Sequence, residues 1–524
     1  MDMSGTRGQI ATRISRRWFI GGLASLGAFE GCRFLPGGFG RAGEPNLRLG
    51  VVSDIHVARE GLQENLLWAG NARTFRHTLE WFRDQRVDGV VIAGDLADNG
   101  VVEQLEVVAK VWNDVFPNDR APDGRKVERL FVCGNHDMAG MAYAGALLKD
   151  RSEAERNRSL ILADPKAAWE RAFHEAYAPI WRKTVRGYSF VGAHWLTNGA
   201  GTSHHSNPGV RDFYAAHARE FDPDLPFFHI QHPHLKDTCF GPWAWGHDEG
   251  AATAALSAFP NAIAFSGHAH YSLTDERTVW QGAFTSVGAS SLMYGDLGWD
   301  EFPNEGFENS RTSGDCNAWR VNARKMMGYF NGGDSRQGML WSVYDDCIVV
   351  RRRDFLADLD LGPELTLPLP AAEAKPFAFA TRAKSFPVPE FADGARLRVE
   401  RIRASNRGGR IWSLQTPIDE VRKEQDALRV TIPAIAADAS SARVYYYEIE
   451  SSASGRTMRK RITAEGYNRA PGSPKTRQPT VCVFACAELP APDAPLSVFP
   501  VNCYGRRGKP LVSEVPQKLE EVKG

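Results

Sequence analysis

The chain has 524 residues, more than a single domain usually contains, and two or three domains are therefore expected. Charged residues make up 24% of the sequence and hydrophobic residues 43%, as in ordinary folded proteins. Because 63 basic residues balance 63 acidic ones, the composition gives no reason to expect a nucleic-acid partner or a polybasic membrane anchor.

The first 42 residues have the features of a cleavable export signal in the usual order. A charged start containing Arg16 and Arg17 leads into a weakly polar run at 21–29 and then a small-residue exit at 40–42. A membrane-spanning helix needs ~20 apolar residues, so no transmembrane anchor is expected. The paired arginines, followed by x-Phe-Ile, resemble a twin-arginine signal. Residues 1–42 are therefore expected to direct export by the twin-arginine machinery, to the periplasm or the medium.

Residues 43–356 begin with an alternation of strands and helices. Apolar runs rich in Val, Ile and Leu at 48–53, 89–93 and 129–133 are typical of strands buried on both faces. Apolar residues at helical spacing predict a helix over 75–82, and a second helix is expected over 101–116. This β-α-β-α-β order predicts an α/β domain in which helices flank a parallel sheet.

The rest of this domain continues with less regular patterns. The Ala-, Arg- and Glu-rich stretch 139–183 is expected to be helical, and the stretch 296–333, rich in Gly, Asn and Asp, is expected to be a surface excursion. Further strands are predicted at 189–194, 227–231 and 263–266, with a closing hairpin at 339–344 and 348–353.

The pattern changes after a segment rich in Pro and Ala at 357–390, which predicts a linker. Residues 391–524 then contain several short alternating or β-branched runs without a long helix, so a second, all-β sandwich domain is expected. The final strands, around 497–505, resemble the end of a fibronectin type III domain. No polar motif of the kind described next occurs there, so the sandwich is expected to be dispensable for chemistry.

Five polar segments stand at or just after predicted strand ends. Open α/β sheets bind ligands beyond the carboxyl ends of their strands, so loops distant in sequence can converge there. Their carboxylate, imidazole and amide groups suit divalent ions of the Fe, Mn or Zn kind, and a carboxylate can bridge two such ions. The segments are Asp54-Ile55-His56, the run 94–100 (Gly-Asp-Leu-Ala-Asp-Asn-Gly), Gly134-Asn135-His136-Asp137, the run 229–234 (His-Ile-Gln-His-Pro-His) and Gly267-His268-Ala269-His270.

This ordered set, spanning residues 54–270, resembles the calcineurin-like metallophosphoesterases. The resemblance implies a β-sandwich core flanked by helices and a dinuclear metal centre. It implies that one metal is held by Asp54, His56, Asp95 and His270, and the other by Asp95, Asn135, His268 and a histidine of the fourth segment. It also implies that His136 is the uncoordinated histidine that protonates the leaving oxygen or stabilises charge in the transition state, and that Asp98 orients it.

Two positions depart from the pattern of that family. Gln231 stands where the family often has a histidine two residues before the proline. Of the neighbouring histidines, His232 is the favoured ligand, with His229 and His234 as alternatives. Asn99 replaces the arginine found in the protein phosphatases of the family, which argues against the phosphoserine and phosphothreonine branch.

The expected activity is therefore hydrolysis of a phosphomonoester or phosphodiester through two metal ions. The alternative is a binding protein that keeps the fold but not the turnover and is attached to a surface or a glycan by its C-terminal sandwich. The complete ligand set and the intact His136 favour the enzyme. Neither the substrate nor the oligomeric state can be read from the sequence.

Overall fold

The computed structural model describes residues 43–58, 71–196, 207–242, 244, 246–295, 335–408, 420–435, 443–464 and 466–518. The predicted export signal at 1–42 and the predicted excursion at 296–333 lie outside these residues. Within the part described, no helix is both long enough and apolar enough to cross a membrane.

The first sheet is built around the predicted β-α-β-α-β start. Strands β1, β2 and β3 are parallel neighbours, and β10 pairs antiparallel with β1 and continues the sheet through β11 to β12 and β13. The bounds are β1 Leu47–Val52, β2 Gly89–Ala93, β3 Glu128–Val132, β10 Gln337–Val343, β11 Cys347–Asp354, β12 Leu359–Asp360 and β13 Leu365–Pro368.

A second sheet of six strands packs against the first. Its order is β4-β5-β6-β7-β9-β8, in which β5, β6, β7 and β9 run parallel and β4 and β8 are antiparallel edge strands. The facing sides share one apolar core, with Val51 and Trp341 from the first sheet meeting Phe228 and Phe265 from the second. The bounds are β4 Ile180–Val185, β5 Tyr188–Ala193, β6 Phe227–Ile230, β7 Ala262–Ser266, β8 Val279–Gln281 and β9 Thr285–Gly288.

Helices cover the outer faces of both sheets. Phe75, Leu79 and Phe82 recur at helical spacing on the first helix and are fully buried against the outer side of the first sheet. The result is the α/β class expected from the sequence, with two packed β-sheets at its centre and helices outside. The helices are α1 Asn71–Asp84, α2 Val102–Val115, α3 Met141–Leu148, α4 Glu153–Ser159, α5 Pro165–Phe173, α6 Val210–His217, α7 Ala251–Leu256 and α8 Phe379–Ser385.

One expectation about local structure needs correction. The stretch predicted to be helical to residue 183 ends in a strand, β4, whose content of Ile180, Trp181 and Val185 suits an edge strand better than a helix. The predicted linker at 357–390 contains β12, β13 and α8, and β13 pairs with β11 of the first sheet.

The C-terminal region consists of two antiparallel sheets, ordered β14-β15-β18 and β17-β16-β19-β20. Their facing side chains, including Leu428, Ile449, Phe484 and Val498, form a separate buried cluster, as expected for an all-β sandwich. The described residues from 43 onward belong to one compact unit. The bounds are β14 Arg398–Gly408, β15 Glu420–Ile432, β16 Tyr446–Ala453, β17 Arg456–Thr463, β18 Thr480–Ala485, β19 Leu496–Val501 and β20 Leu511–Ser513.

Candidate metal centre

The five polar segments meet at the carboxyl edge of the two packed sheets. The first three follow β1, β2 and β3, which are parallel neighbours, and the other two follow β6 and β7 of the second sheet. The parallel strands therefore deliver their loops to one place, as the sequence predicts. Acidic and imidazole groups there form three clusters whose ligand atoms lie within 4.8 Å of one another.

The backbone at this edge adopts a left-handed conformation at five non-glycine residues. Asp54, His56, Asp95, His268 and His270 have φ angles of 51°, 47°, 52°, 73° and 57°. Such left-handed conformations cost a non-glycine residue of order 1–3 kcal/mol and persist only where the surrounding structure holds them. Each of these residues is also a predicted metal ligand, so the strained positions are the ones at which the sequence predicts metal binding.

Two glycines of the motifs make room for ligand side chains. A Cβ atom at Gly134 would lie 2.2 Å from Asp95 Oδ1, and one at Gly267 would lie 2.4 Å from Asp54 Oδ2. Real Cβ atoms essentially never approach other atoms so closely. These glycines therefore allow two carboxylates to sit directly against neighbouring backbone.

The first ligand group consists of Asp54, His56 and His270. His270 Nε2 lies 3.0 Å from Asp54 Oδ1, and the Nε2 atoms of His56 and His270 are 3.3 Å apart. All three side chains are buried. Two imidazole nitrogens and a carboxylate oxygen that converge in this way suit a divalent metal ion.

The second group contains His232, His268 and Asn135 around Asp95. His232 Nε2 lies 2.9 Å from Asn135 Oδ1 and 3.2 Å from Asp95 Oδ2. His232 Nδ1 lies 2.8 Å from the carbonyl oxygen of Ala93, which can only accept, so Nδ1 carries the hydrogen. With its hydrogen at Nδ1 held by this bond, His232 turns Nε2 toward the site, and Nε2 is the nitrogen that a metal ion would take in place of a proton.

Asp95 lies between the two groups. The same atom, Oδ2, is 3.2 Å from His232 Nε2 and 3.5 Å from His56 Nε2. Its other oxygen, Oδ1, accepts a hydrogen bond of 2.8 Å from the backbone N–H of His136. From this position Asp95 would be able to contribute to an ion held by either ligand group.

The other histidines of the fourth segment have partners elsewhere. His229 is on β6 and points toward α6, where its Nδ1 is 3.1 Å from the hydroxyl of Tyr214. His234 Nδ1 is 2.8 Å from Ser266 Oγ. Gln231, at the position where the family often has histidine, donates to Asp248 at 2.9 Å. Of the three candidate histidines, His232 is therefore the one that the geometry places among the other ligands.

His136 and Asp98 are adjacent but not in the arrangement expected from the resemblance. His136 Nδ1 donates to the backbone carbonyl of Asp98 at 2.7 Å, whereas the Asp98 carboxylate is 3.8 Å away. That carboxylate is closer to His56, whose Nδ1 is 3.3 Å from Asp98 Oδ1. Asp98 therefore orients His136 through its main chain and supports His56 through its side chain, a frequent arrangement for metal-binding histidines.

The last residue of the third segment, Asp137, holds two loops together. Its carboxylate accepts hydrogen bonds from the backbone N–H groups of Gly134, Ala97 and Leu96, at 2.7, 2.8 and 3.2 Å. Burial and the negative charge of Asp95 nevertheless raise the pKa of Asp137 to about 7. Asp137 fixes the position of Asn135 and His136 relative to the Asp95 loop.

The site attracts positive charge. Burial alone would raise the pKa of Asp95, but the charges of His232 and His136 hold it well below its usual range. Burial likewise opposes protonation of His56, yet hydrogen bonds to Asp54 and Asp98 raise the pKa of His56 to about 10. The pKa of His232 rises to about 9 against burial, because of Asp95. The buried carboxylates thus draw protons onto these imidazoles, and bound metal ions would supply the same positive charge.

Three aromatic residues around the site were not predicted from the sequence. The ring of Tyr143 on α3 is 4.3 Å from that of His136. The Tyr294 ring lies 4.4 Å from His270, and Trp195 packs on His232 and His268. Single aromatic residues on a helix or in a loop carry no sequence signal for such a position.

Comparison with solved structures finds similar chains at low identity. A dimetal phosphatase from Danio rerio is 14% identical, with 62% of this chain and 99% of that chain covered and a TM-score of 0.35. A purple acid phosphatase from yellow lupin (Lupinus luteus) seeds is 13% identical, with 62% and 54% covered and a TM-score of 0.36. A Thermus thermophilus protein is 10% identical, with 47% and 89% covered and a TM-score of 0.29.

Comparison with curated proteins finds no match. Residues 47–272 match the family model described as calcineurin-like phosphoesterase. This match covers all five polar segments, and it supports that superfamily for the segment that contains the candidate metal centre.

Proposed function

We propose that this protein is an exported phosphoesterase that hydrolyses a phosphomonoester or phosphodiester at a centre of two metal ions. The observation that carries the proposal is the position of Asp95 Oδ2, within 3.5 Å of imidazole nitrogens from both ligand groups. Asp54, His56 and His270 would hold one ion, Asn135, His232 and His268 the other, and Asp95 both. The ions would be of the Fe, Mn or Zn kind, for which this set of oxygen and nitrogen donors is suited.

When bound, a pair of metal ions supplies a nucleophilic water at neutral pH and neutralises charge on the phosphoryl oxygens. The protein's own part is to hold the donors in place. Hydrogen bonds fix His232 through the carbonyl of Ala93 and His56 through Asp98, so both rings present Nε2 to the centre. The backbone N–H of His136 holds Asp95 from the other side.

His136 is suited to donate a proton to the leaving oxygen. Because its Nδ1–H is used by the carbonyl of Asp98, its other nitrogen, Nε2, is the one available to a substrate. The His136 side chain is 27% exposed, whereas the proposed ligands His56 and His270 are at most 6% exposed. The substrate therefore approaches from the side of His136 and Tyr143, which is 42% exposed.

Export by the twin-arginine route is part of the proposal and rests on residues 1–42 of the sequence. The absence of an arginine at position 99 supports a small ester substrate over a phosphorylated protein.

The proposal is tested by metal analysis and turnover on the full-length protein. We expect two equivalents of metal per chain, measured by mass spectrometry of the elements, and hydrolysis of p-nitrophenyl phosphate or bis-p-nitrophenyl phosphate that stops on chelation. Metal binding without turnover of either ester would favour the non-catalytic alternative. Turnover that survives complete metal removal would refute the proposed chemistry.

A further inference from the structure

A fully buried glutamine at the start of β10, Gln337, contacts the loop that carries His270. Its Oε1 accepts hydrogen bonds from the backbone N–H of Leu273 at 2.7 Å and from Ser272 Oγ at 3.0 Å. Both partners follow His270 within three residues and are buried. The loop that follows His270 is therefore held in position by the side-chain carbonyl oxygen of Gln337.

The backbone of Gln337 connects to the other ligand of the first group. Its N–H donates to the carbonyl of Ser291 at 2.9 Å. Ser291 Oγ lies 3.2 Å from the carbonyl oxygen of Asp54, and it accepts from the N–H of Tyr294 at 3.3 Å. Tyr294 in turn packs on the His270 ring. Gln337 thus joins the segments behind Asp54 and His270.

The donor side of the same amide faces the C-terminal sandwich. Gln337 Nε2 donates to the backbone carbonyl of Asn468 at 3.0 Å and to Ser335 Oγ at 2.6 Å. Ser335 Oγ is also 3.3 Å from the Asn468 carbonyl, and all three residues are 0% exposed. An amide has separate donor and acceptor atoms, so Gln337 bonds the sandwich and the His270 loop at once.

An arginine of the sandwich fixes the chain around Asn468. Arg443 donates to the carbonyl oxygens of Tyr467 and Arg469 at 3.2 and 2.6 Å, on either side of Asn468. It also donates to the carbonyl of Leu361 at 2.6 Å, next to the first sheet. The Asn468 carbonyl is therefore held in place by the sandwich and anchored to the metallophosphoesterase core.

We propose that Gln337 is a positioning residue of the metal centre and that the C-terminal sandwich holds it through the backbone of Asn468. The sandwich would then contribute to metal affinity without supplying a ligand, in contrast to the dispensable role expected from the sequence. The consequence for metal binding rests on the ligand assignment in the proposed function. Partners behind metal ligands typically change metal affinity or activity by ~10–100-fold.

The test compares three variants of the full-length protein. Gln337→Met removes both sides of the amide at similar volume, and Arg443→Met loosens the Asn468 carbonyl and also removes the hydrogen bond to the carbonyl of Leu361. Gln281→Met is the matched control, because Gln281 is 3% exposed and bonds the N–H of Phe377 at 3.0 Å, away from the site. Metal dissociation constants are measured by competition with a chelator, well below the thermal midpoint of each variant.

We expect Gln337→Met to weaken metal binding by about 10-fold, the lower end of the usual range, and Arg443→Met to weaken it in the same direction. Gln281→Met should lose thermal stability but keep the parental metal affinity. Equal affinities in Gln337→Met and Gln281→Met would refute the positioning role. If Gln337→Met does not fold, an unchanged affinity in Arg443→Met refutes it instead. If the parent protein binds metal but does not hydrolyse esters, the proposed function is refuted. The positioning role of Gln337 is still tested in that case, because it is measured by metal affinity.

Discussion

Replacing His136 by alanine separates proton donation from metal binding. The side chain makes one short hydrogen bond, from Nδ1 to the Asp98 carbonyl, and is partly exposed. The N–H that supports Asp95 belongs to the backbone and survives the substitution. We therefore expect a folded protein with both metal ions bound, with a stability loss of about 0.5–1.5 kcal/mol from the missing hydrogen bond.

The expected kinetic loss depends on the leaving group. General acid catalysis contributes typically ~10²–10⁴-fold, which is about 2.7–5.4 kcal/mol at 1.36 kcal/mol per factor of ten. The leaving group of an alkyl phosphate is a strongly basic alkoxide that needs the proton. Its hydrolysis should therefore slow by the full factor. Nitrophenolate departs without help and should lose far less.

The assay measures kcat for p-nitrophenyl phosphate and for an alkyl phosphate, with metal content determined on the same His136→Ala samples. His136→Gln serves as the control, because it keeps a hydrogen-bonding side chain but cannot transfer a proton. The ring of His136 also lies close enough to His56 and Asp95 to be a metal ligand itself. Lost metal, or equal losses for both esters, would refute the general-acid role.

The other predictions concern Asp95 as the residue shared by both metal ions, Gly134 beside it, and Tyr143 on the side from which the substrate approaches. Asp95→Ala should lose both ions by elemental analysis, and a variant retaining two equivalents would contradict the bridge. Gly134→Ala should weaken metal binding measured by chelator competition, because its Cβ would overlap Asp95, 2.2 Å from Oδ1; parental affinity would contradict this. Tyr143→Ala should raise KM for aromatic esters more than Tyr143→Phe does, since the ring next to His136 is retained in the latter; equal KM values would exclude a contact between the ring and the substrate.

Much of the fold followed from local patterns. The predicted strands at 48–53, 89–93 and 129–133 and the helix around Phe75 and Phe82 match β1, β2, β3 and α1, because buried parallel strands and amphipathic helices have strong periodic signals. The strand β4 was missed because an edge strand with mixed polarity looks much like the end of a charged helix. The domain boundaries at 43, 357 and 391 remain predictions.

The residues of the candidate metal centre could be predicted from the ordered motifs, but the contacts between them could not. The sequence placed Asp98 beside His136, but it did not show whether the carboxylate or the carbonyl of Asp98 contacts that ring, because this depends on backbone direction. In the structure the carbonyl faces His136 and the carboxylate faces His56. The preference for His232 over His229 and His234 stays a prediction that agrees with the observed distances. On a strand, alternate residues face opposite sides, which turns His229 toward α6.

The contribution of the C-terminal sandwich could not be read from motifs, because it is made by main-chain atoms. Any residue at position 468 supplies a carbonyl, so the contact with Gln337 leaves no recognisable residue type in the sandwich. A buried amide between a ligand loop and a second domain is costly if either side is left without a partner. The hydrogen bonds of Gln337 therefore make docking of the sandwich and the position of the His270 loop mutually dependent, and metal affinity should report that dependence.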